Sequence, residues 1–367
     1  MTANTPITED KMAEWAVDWL TKRLSARWEI TPSGRAGLQS QDSGVDAAID
    51  MRAPNGISTT MVIVVKSVLE PADATRLFTG LGRTMRTLAN NVPVLIVAPW
   101  LSKRTRDLLA DERINYIDVT GNALIRLEDP ALYIEVHGAV RDPSPRLRGK
   151  ARVQGPKAAR LIRFLVDIAP PYGVRELANA SSLNPGYVSR LLETLEDEAL
   201  VTREKRGRVE STNVPELLRR WSESYDIFRS NNARRFVAPE GSVSALQKLR
   251  KFSEECAITG SFAAIRFEQI AAPTLLAVFV KDPAPVIEEL RLIPSDSGSN
   301  VLLLQPFDDV VFERSVLDDG IRYVAPSQIA ADCLTGNGRM PAEGAAVVEW
   351  MVVNEEIWRK PFLKVAQ

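Results

Sequence analysis

The 367-residue sequence predicts a multidomain α/β protein, in which a short, basic, mainly helical segment separates two α/β segments. Three observations support this prediction. The length corresponds to about two or three domains of roughly 100–200 residues each. Strand-like and helix-like stretches alternate on both sides of the middle segment, and residues 141–157 are rich in Pro, Gly and basic residues, as linkers are. We therefore place the domains at 1–150, 151–225 and 226–367.

Composition excludes several classes of protein. The chain is 45% hydrophobic and 25% charged, which is typical of a soluble globular protein. No apolar run approaches the ~20 residues that cross a bilayer, and the N-terminus lacks the basic and apolar regions of a signal peptide. Cys256 and Cys333 lie far apart without metal-site spacing, so we expect reduced thiols in a cytoplasmic protein that does not contact membranes. His137 is the only histidine, which argues against a histidine-based metal site or general base, and we expect no cofactor.

Charge is distributed unevenly along the chain. Residues 1–150 contain 19 basic and 18 acidic residues, residues 151–235 contain 15 and 11, and residues 236–367 contain 12 and 18. The basic surplus of the middle segment is where a polyanion would bind. The acidic C-terminal segment is a poor candidate for binding nucleic acid and a better one for binding a protein or small-molecule effector.

The first segment opens with an amphipathic helix at 8–26 and continues as alternating strands and helices. The run at 61–65 is so uniformly apolar that it suits a central strand buried on both faces. The further predicted elements are strands at 45–54 and 59–67, a helix at 72–90, a strand at 92–100, a helix at 103–111, a hairpin at 114–127 and a strand at 131–138.

Two polar residues of this segment suggest a degenerate nuclease site. In the restriction-endonuclease-like fold, an aspartate and a following (Asp/Glu)-x-Lys group hold magnesium and polarise a water molecule. Asp50 and Lys66 have this order, and the segment resembles that fold, but Val64 stands where the second carboxylate belongs and Glu70 is the nearest acidic substitute. We expect no catalytic residue here. The open alternatives are a magnesium-dependent nuclease that uses Asp50 and Lys66, and an unrelated α/β domain.

The middle segment has the order helix, short helix, turn, capped helix and basic hairpin. In its third helix, apolar residues repeat at helical spacing from 188 to 195, while Asn184 is placed to cap the first turn and Pro185 fits its first position. This order is the winged helix-turn-helix plan, whose third helix (here 185–199) fits the DNA major groove and whose wing (here 203–209) contacts phosphates. The stretch "VRELANASSLNPGYVSRLLETLEDEALVTREKRGRV" resembles the winged-helix regulators of bacteria position by position.

This resemblance implies double-stranded DNA as the ligand. The residues that we expect to contact it lie in the turn, on the outer face of the third helix and in the wing: Ser182, Asn184, Tyr187, Ser189, Arg190, Arg203, Lys205, Arg206 and Arg208. The open alternative is that the winged unit binds another protein instead.

The hairpin "INYIDVTGNALIRL" indicates a narrower family. Its Asp118, Gly121 and Asn122 match an element that, together with an endonuclease-like core and a winged helix, resembles the transcriptional regulators grouped with AbiEi. AbiEi is the antitoxin of the abortive-infection E type IV toxin–antitoxin system. Gly121–Asn122 is also an ordinary turn pair that tolerates positive φ, so a structural role remains open.

The last segment resembles the C-terminal half of the same family, a degenerate nucleotidyltransferase-like α/β fold. Gly260–Ser261 matches the phosphate-binding turn, but residues 277–279 are apolar where such a strand would carry metal-binding acids, and Asp308–Asp309 belongs to no metal triad. The predicted strands are 271–280, 300–306, 310–314 and 321–328, and the predicted helices are 213–230, 283–291, 326–335 and 345–358.

These observations predict a bacterial transcriptional regulator rather than an enzyme. We expect a homodimer, because one recognition helix reads only a few base pairs and a two-fold operator supplies the missing affinity. If the protein is an antitoxin, it would act by repressing its operon. The competing interpretations are the magnesium-dependent endonuclease, targeted to DNA by the winged helix, and an adaptor that does not bind nucleic acid.

Overall fold

The structure, a computed structural model, describes residues 9–33, 45–79, 92–143, 152–204, 207–250, 252 and 255–362. The chain divides into two compact units. The first unit comprises residues 1–148 and 197–199, and the second comprises residues 149–196 and 200–367. In the described part of the chain, no helix is long and apolar enough to span a bilayer.

The first unit is an α/β domain built on a seven-stranded sheet. Its described elements are α1 (Glu9–Arg23), β1 (Glu29–Pro32), β2 (Ala47–Arg52), β3 (Ser58–Val65), α2 (Pro71–Thr79), β4 (Val94–Ala98), α3 (Lys103–Asp111), β5 (Asn115–Asp118), β6 (Ala123–Leu127) and β7 (Leu132–Val136). The strands lie in sequence order from β1 to β7. Strands β3, β4 and β5 run parallel, and every other neighbouring pair is antiparallel.

The predicted elements of the first unit are confirmed where the structure describes them, whereas strand β1 had not been predicted. All five residues of the run 61–65 are buried, and alternate side chains join hydrophobic clusters on opposite faces of β3. On one face, α1 contributes Met12, Trp19 and Leu20 to the core. The predicted helix at 103–111 is α3, while only residues 71–79 of the predicted helix at 72–90 can be assessed, because residues 80–91 lie outside the described residues.

The second unit begins with three helices and a hairpin. Its first described elements are α4 (Gly155–Asp167), β8 (Ile168–Ala169), α5 (Val174–Ala180), α6 (Pro185–Asp197), β9 (Val201–Arg203), β10 (Val209–Thr212) and α7 (Val214–Ser222). Helix α4 ends before Pro170–Pro171, because proline offers no backbone N–H to continue the helix. Buried apolar residues of α4, α5 and α6, among them Leu161, Leu177 and Leu191, pack into one core.

The rest of the second unit is a second mixed sheet covered by helices. Its described elements are β11 (Asn232–Val237), α8 (Ser242–Leu249), β12 (Cys256–Thr259), α9 (Ser261–Ala264), β13 (Leu276–Val280), α10 (Pro283–Glu289), β14 (Ile293–Pro294), β15 (Val301–Gln305), a 3₁₀ helix (Asp309–Phe312), β16 (Val316–Asp318), β17 (Ile321–Tyr323), α11 (Pro326–Leu334), α12 (Met340–Val353), α13 (Glu355–Trp358) and β18 (Lys360–Pro361). The seven described strands of the sheet follow the order β14-β11-β15-β13-β12-β17-β16.

Three predictions for this region need correction. Residues 310–314 are not a strand, because Asp308 caps the 3₁₀ helix by accepting the Val310 N–H (2.9 Å) and the chain turns there. Helix α7 ends at Ser222 rather than near residue 230. The predicted strand 321–328 ends at Tyr323, and residues 326–328 belong to α11, which begins at Pro326. Strand β11 and helix α8 are among the elements that had not been predicted, because the strand sequence Asn232–Val237 contains two arginines and resembles a solvated loop.

The winged-helix segment and the second sheet share one hydrophobic core. Trp221 of α7 lies against Tyr225 (ring centroids 4.9 Å apart), and Tyr225 lies against Phe307 (5.5 Å). In the structure, the segments before and after residue 225, which the sequence analysis treated as separate domains, therefore belong to one compact unit.

A buried polar cluster, centred on Asp332 of α11, also joins the two segments. The Asp332 carboxylate accepts hydrogen bonds from the Tyr225 hydroxyl (2.6 Å), the Thr259 hydroxyl (2.5 Å) and the Gln328 amide (2.8 Å). Gln328 in turn accepts a hydrogen bond from Arg163 of α4 (2.7 Å). We call these five residues the Asp332 cluster. Burial raises the pKa of Asp332 to about 6, against the opposing effect of its hydrogen bonds.

Candidate nucleic-acid interface

Helices α5 and α6 form a helix-turn-helix with the expected cap. The Asn184 side-chain oxygen accepts hydrogen bonds from the backbone N–H groups of Gly186 (2.9 Å) and Tyr187 (3.3 Å). Pro185 is the first residue of α6, where its missing N–H is harmless. Ser182 lies in the turn with φ of +54°, in the left-handed region that favours glycine. The predicted cap of α6 is therefore confirmed.

Helix α6 has one buried and one exposed stripe. Val188, Leu191, Leu192 and Leu195 are completely buried. The exposed stripe follows the same helical spacing on the opposite side and consists of Gly186, Ser189, Arg190 and Glu193. We call this set the α6 outer face.

Two predicted DNA-contacting residues lie on this face, and a third lies at its border. Ser189 and Arg190 are exposed, and Arg190 forms no ion pair with any residue that the structure describes. Tyr187 is half-buried and its ring packs against the core, so that partial burial raises the pKa of its hydroxyl. Arg190 can therefore bind a ligand without first breaking a salt bridge.

The wing is a two-stranded hairpin extended by one further backbone pairing. Strands β9 and β10 pair antiparallel, and the turn between them closes through a hydrogen bond from Gly207 N–H to the Glu204 carbonyl (2.8 Å). Val209 of β10 also exchanges two backbone hydrogen bonds with Tyr172, 3.0 and 3.3 Å long. Tyr172 thereby anchors the wing to the chain just before α5.

The four predicted wing cations differ in their surroundings. The Arg203 guanidinium is largely buried and binds the Glu196 carboxylate of α6 at 2.5 and 2.8 Å. The Arg208 guanidinium donates to the Pro171 carbonyl (3.3 Å) and is partly exposed. Lys205 and Arg206 lie outside the described residues. Arg203 thus joins the wing to α6, whereas Arg208 remains accessible.

The structure does not bring Asp50 and Lys66 together. Asp50 pairs with Thr60 in the β2–β3 hairpin and accepts a hydrogen bond from the Thr60 hydroxyl (2.6 Å). Lys66 lies six residues further along the chain, roughly 20 Å away at ~3.3 Å per residue. A nuclease centre built from these two residues therefore conflicts with the observed strand register.

Asp46, which the sequence analysis missed, lies closer to Lys66. Its carboxylate accepts the Val65 N–H (2.7 Å), and its own N–H donates to the Ile63 carbonyl (2.9 Å). The first aspartate of "VDAAID" could have indicated this position, because antiparallel pairing places the start of β2 beside the end of β3. Asp46 faces Val64, so a second carboxylate is missing here as well. No group of three or more His, Cys, Asp or Glu residues that could bind a metal occurs among the described residues.

Asp118 and Asn122 form a buried hydrogen-bond network rather than an open site. The buried Asp118 carboxylate accepts the backbone N–H groups of Leu101 (3.1 Å) and Asn122 (3.1 Å) and the Asn122 side-chain amide (2.8 Å). The Asn122 amide oxygen accepts the Gly138 N–H (2.9 Å). Gly121 has φ of +103°, which suits glycine. These contacts tie three loops together and leave no carboxylate oxygen free.

The phosphate-binding turn predicted at Gly260–Ser261 is closed in the structure. The Ser261 hydroxyl donates to the buried Glu343 carboxylate of α12 (2.6 Å), and an added Cβ at Gly260 would lie 3.3 Å from Met340. Asp308, the first of the predicted acidic pair, binds Arg160 of α4 (2.6 Å). Both features therefore hold α12 and α4 in place.

The order of α4, α5, α6 and the β9–β10 wing defines a winged helix-turn-helix, a class of DNA-binding modules. Residues 157–205 match the family model of the IclR helix-turn-helix domain. Residues 210–353 match the family model described as transcriptional regulator, AbiEi antitoxin, type IV toxin–antitoxin system. The resemblance to AbiEi-type regulators is thereby confirmed for the second unit. No curated protein and no solved structure matches the chain significantly.

Proposed function

We propose that this protein is a sequence-specific transcriptional regulator that represses its target promoter by binding double-stranded DNA. The observation that carries this proposal is the α6 outer face, a continuous exposed stripe at the start of the third helix of a winged helix. An α-helix fits the major groove, which is ~12 Å wide. The two family matches, to a helix-turn-helix domain and to an antitoxin-type transcriptional regulator, support a regulator rather than an enzyme.

The proposed contacts divide into base-reading and phosphate-binding residues. Ser189 and Arg190 read base edges, where a bidentate arginine–guanine contact discriminates by about 1–3 kcal/mol. Tyr187, Ser182 and Asn184 border the same groove. Lys205, Arg206 and Arg208 neutralise phosphates beside it, which makes the affinity fall with rising salt.

The other parts of the chain have supporting roles in this proposal. We propose that the first unit is a degenerate endonuclease-like domain, because its strands β1–β3 form an antiparallel meander followed by parallel β4, and that it lacks nuclease activity. We propose that the region 226–367 is a degenerate nucleotidyltransferase-like domain that mediates homodimerisation and binds a protein or small-molecule effector. As an antitoxin, the protein would act by repressing the operon that encodes it.

Fluorescence anisotropy with the DNA upstream of the protein's own gene tests the proposal. We expect salt-dependent binding that tolerates an excess of unrelated DNA, and a loss of at least tenfold in affinity for Arg190→Ala, with most of the preference for specific DNA lost. Arg229→Ala is the matched control, since the Arg229 side chain is 88% exposed and belongs neither to the α6 outer face nor to the wing. Equal affinity for specific and unrelated DNA would contradict the proposal.

A plasmid-cleavage assay tests the competing enzyme interpretation. Wild-type protein and Lys66→Ala are incubated with plasmid and magnesium. We expect no cleavage by either protein, because Val64 stands opposite Asp46 where a second metal-binding carboxylate is needed. Cleavage that requires both magnesium and Lys66 would establish a nuclease.

A further inference from the structure

The last residues that the structure describes return to the winged helix. We call residues 359–362 the strap. Strand β18 of the strap pairs in parallel with β8, so that Lys360 lies beside Ile168 and Pro361 beside Ala169. The Phe362 N–H donates to the Ala169 carbonyl (3.3 Å). The strap thus adds a strand next to the end of α4, about 190 residues away in sequence.

Arg359 binds the winged helix through its guanidinium group. The residue is 8% exposed, and its Nη2 donates to the Leu165 carbonyl (2.9 Å), the Ile168 carbonyl (3.3 Å) and the Thr212 hydroxyl (2.5 Å). The Leu165 carbonyl lies in the last turn of α4 and the Ile168 carbonyl directly follows that helix, where carbonyls lack partners within the helix and a cation is favoured. Thr212 is the last residue of the wing strand β10. One guanidinium therefore joins α4 to the wing.

Phe362 makes a second connection to the wing. Its ring centroid lies 6.1 Å from that of Phe164 and 5.8 Å from that of Tyr172, both edge-on. Tyr172 is the residue that exchanges two backbone hydrogen bonds with Val209 of β10. The strap thus contacts β10 directly at Thr212 and indirectly through Tyr172. It also lies beyond both family matches, which end at residues 205 and 353, so neither match assigns it a role.

We propose that the strap positions the wing for DNA binding, with Arg359 as the central positioning residue. This inference rests on the proposed function. Arg359 is buried and does not contact DNA itself. By fixing Thr212, it fixes β10 relative to α4 and thereby sets where the wing cation Arg208 meets the phosphates beside α6. Without the strap, α6 keeps its fold, and the wing keeps its contacts with Tyr172 and Glu196 but loses the contact at Thr212 that aligns β10 with α4.

Two variants and one control test this proposal. Arg359→Ala removes every guanidinium contact between the strap and the winged helix. Thr212→Val removes only the acceptor on the wing and retains the side-chain shape. Lys360→Ala is the control, because the Lys360 side chain is exposed in the same strand. Arg359→Lys keeps the charge but cannot reach all three oxygens in the same way, so we expect an intermediate effect.

Hydrogen exchange in the absence of DNA measures how firmly the wing is held, separately from DNA binding. In Thr212→Val we expect amide exchange in β9 and β10 to accelerate about tenfold, since a hydrogen bond to a charged group is lost, while exchange in α6 stays unchanged. We expect DNA affinity to fall about tenfold, with a shallower salt dependence, because fewer phosphates are neutralised. Lys360→Ala should change neither quantity.

The outcomes separate the two proposals. If wing exchange is unchanged in Thr212→Val and in any folded Arg359→Ala protein, the strap does not hold the wing and the inference is wrong. If wing exchange accelerates but the affinity and salt dependence of DNA binding stay at wild-type values, the strap has no role in DNA binding and the inference is also wrong. If wild-type protein fails to bind DNA, the proposed function fails, and accelerated exchange would still establish that the strap holds the wing.

Discussion

The Asp332 cluster makes a specific prediction about pH. Asp332 is completely buried, and desolvation raises its pKa from 3.8 to about 6. Because the folded state binds this proton more tightly than the unfolded state, protonation stabilises the fold. The contribution is fully present below about pH 3.8 and is lost as the pH rises through about 6. Two pKa units correspond to about 3 kcal/mol of unfolding free energy, as an order of magnitude.

The substitution Asp332→Asn removes the charge and keeps the shape. An asparagine oxygen can still accept hydrogen bonds from Tyr225 and Gln328, while the Thr259 hydroxyl must turn to accept from the new amide. At pH 7.5 we expect the variant to be more stable than wild type by up to about 3 kcal/mol, less the cost of that reorientation. By pH 5 about half of the advantage should disappear, because wild-type Asp332 is then protonated in the folded state.

Denaturant-dependent hydrogen exchange of peptides from residues 256–334 measures this difference in the second unit alone. The second unit is suited to this comparison because the only histidine of the chain, His137, lies in the first unit. Asp296→Asn, at an exposed position, is the matched control for loss of one negative charge. One result would refute the reasoning: Asp332→Asn is less stable than wild type at pH 7.5, and the difference in stability is the same at pH 5. Arg163 would then be compensating an Asp332 that stays ionised.

Two further predictions concern local structure. Asn184→Ala removes the cap of α6 and should lower the unfolding free energy of the second unit by about 1 kcal/mol, as measured by urea unfolding. Asn179→Ala, at an exposed position, is the control, and no loss of stability in Asn184→Ala would contradict the role of the cap. Gly138→Ala places a Cβ 2.4 Å from the Thr120 carbonyl oxygen and 2.6 Å from the Asn122 nitrogen, and backbone atoms cannot yield as side chains do. We expect a loss of about 1–3 kcal/mol confined to the first unit, detected as faster hydrogen exchange there, whereas Gly173→Ala, with only a flexible Glu176 side chain at 3.5 Å, should be tolerated.

Local sequence patterns predicted helix α6 well, because every signal for it lies within a few residues. The cap at Asn184, the proline at position 185 and the apolar repeat from 188 to 195 each depend on backbone geometry that one helical turn defines. The order of helices and strands in the first unit follows from similar local periodicity. The features that depend on neighbours in sequence were therefore predictable without a structure.

Features that depend on strand register or long-range pairing were not predictable in the same way. Asp50 and Asp46 both precede Lys66 by a plausible distance in sequence, and only the β2–β3 register places Asp46 beside the end of β3. Arg203 looked like a free wing cation because its partner, Glu196, belongs to a different element. The strap pairs with β8 across about 190 residues, and no local pattern indicates that contact.

The buried contacts of α4 bear on how the protein would read an operator. Arg163 of α4 binds the Gln328 amide and the Glu313 carbonyl, and Arg359 binds the carbonyls at the end of the same helix. Two buried cations thus fasten α4 to the C-terminal part of the second unit, and α4 shares its core with α6. A winged helix on a flexible tether could reach half-sites at variable spacing, whereas one fastened in this way cannot. If the protein is a homodimer, as we propose, the separation of its two α6 helices is set by rigid packing, and inserting half a helical turn of DNA between the half-sites should abolish cooperative binding.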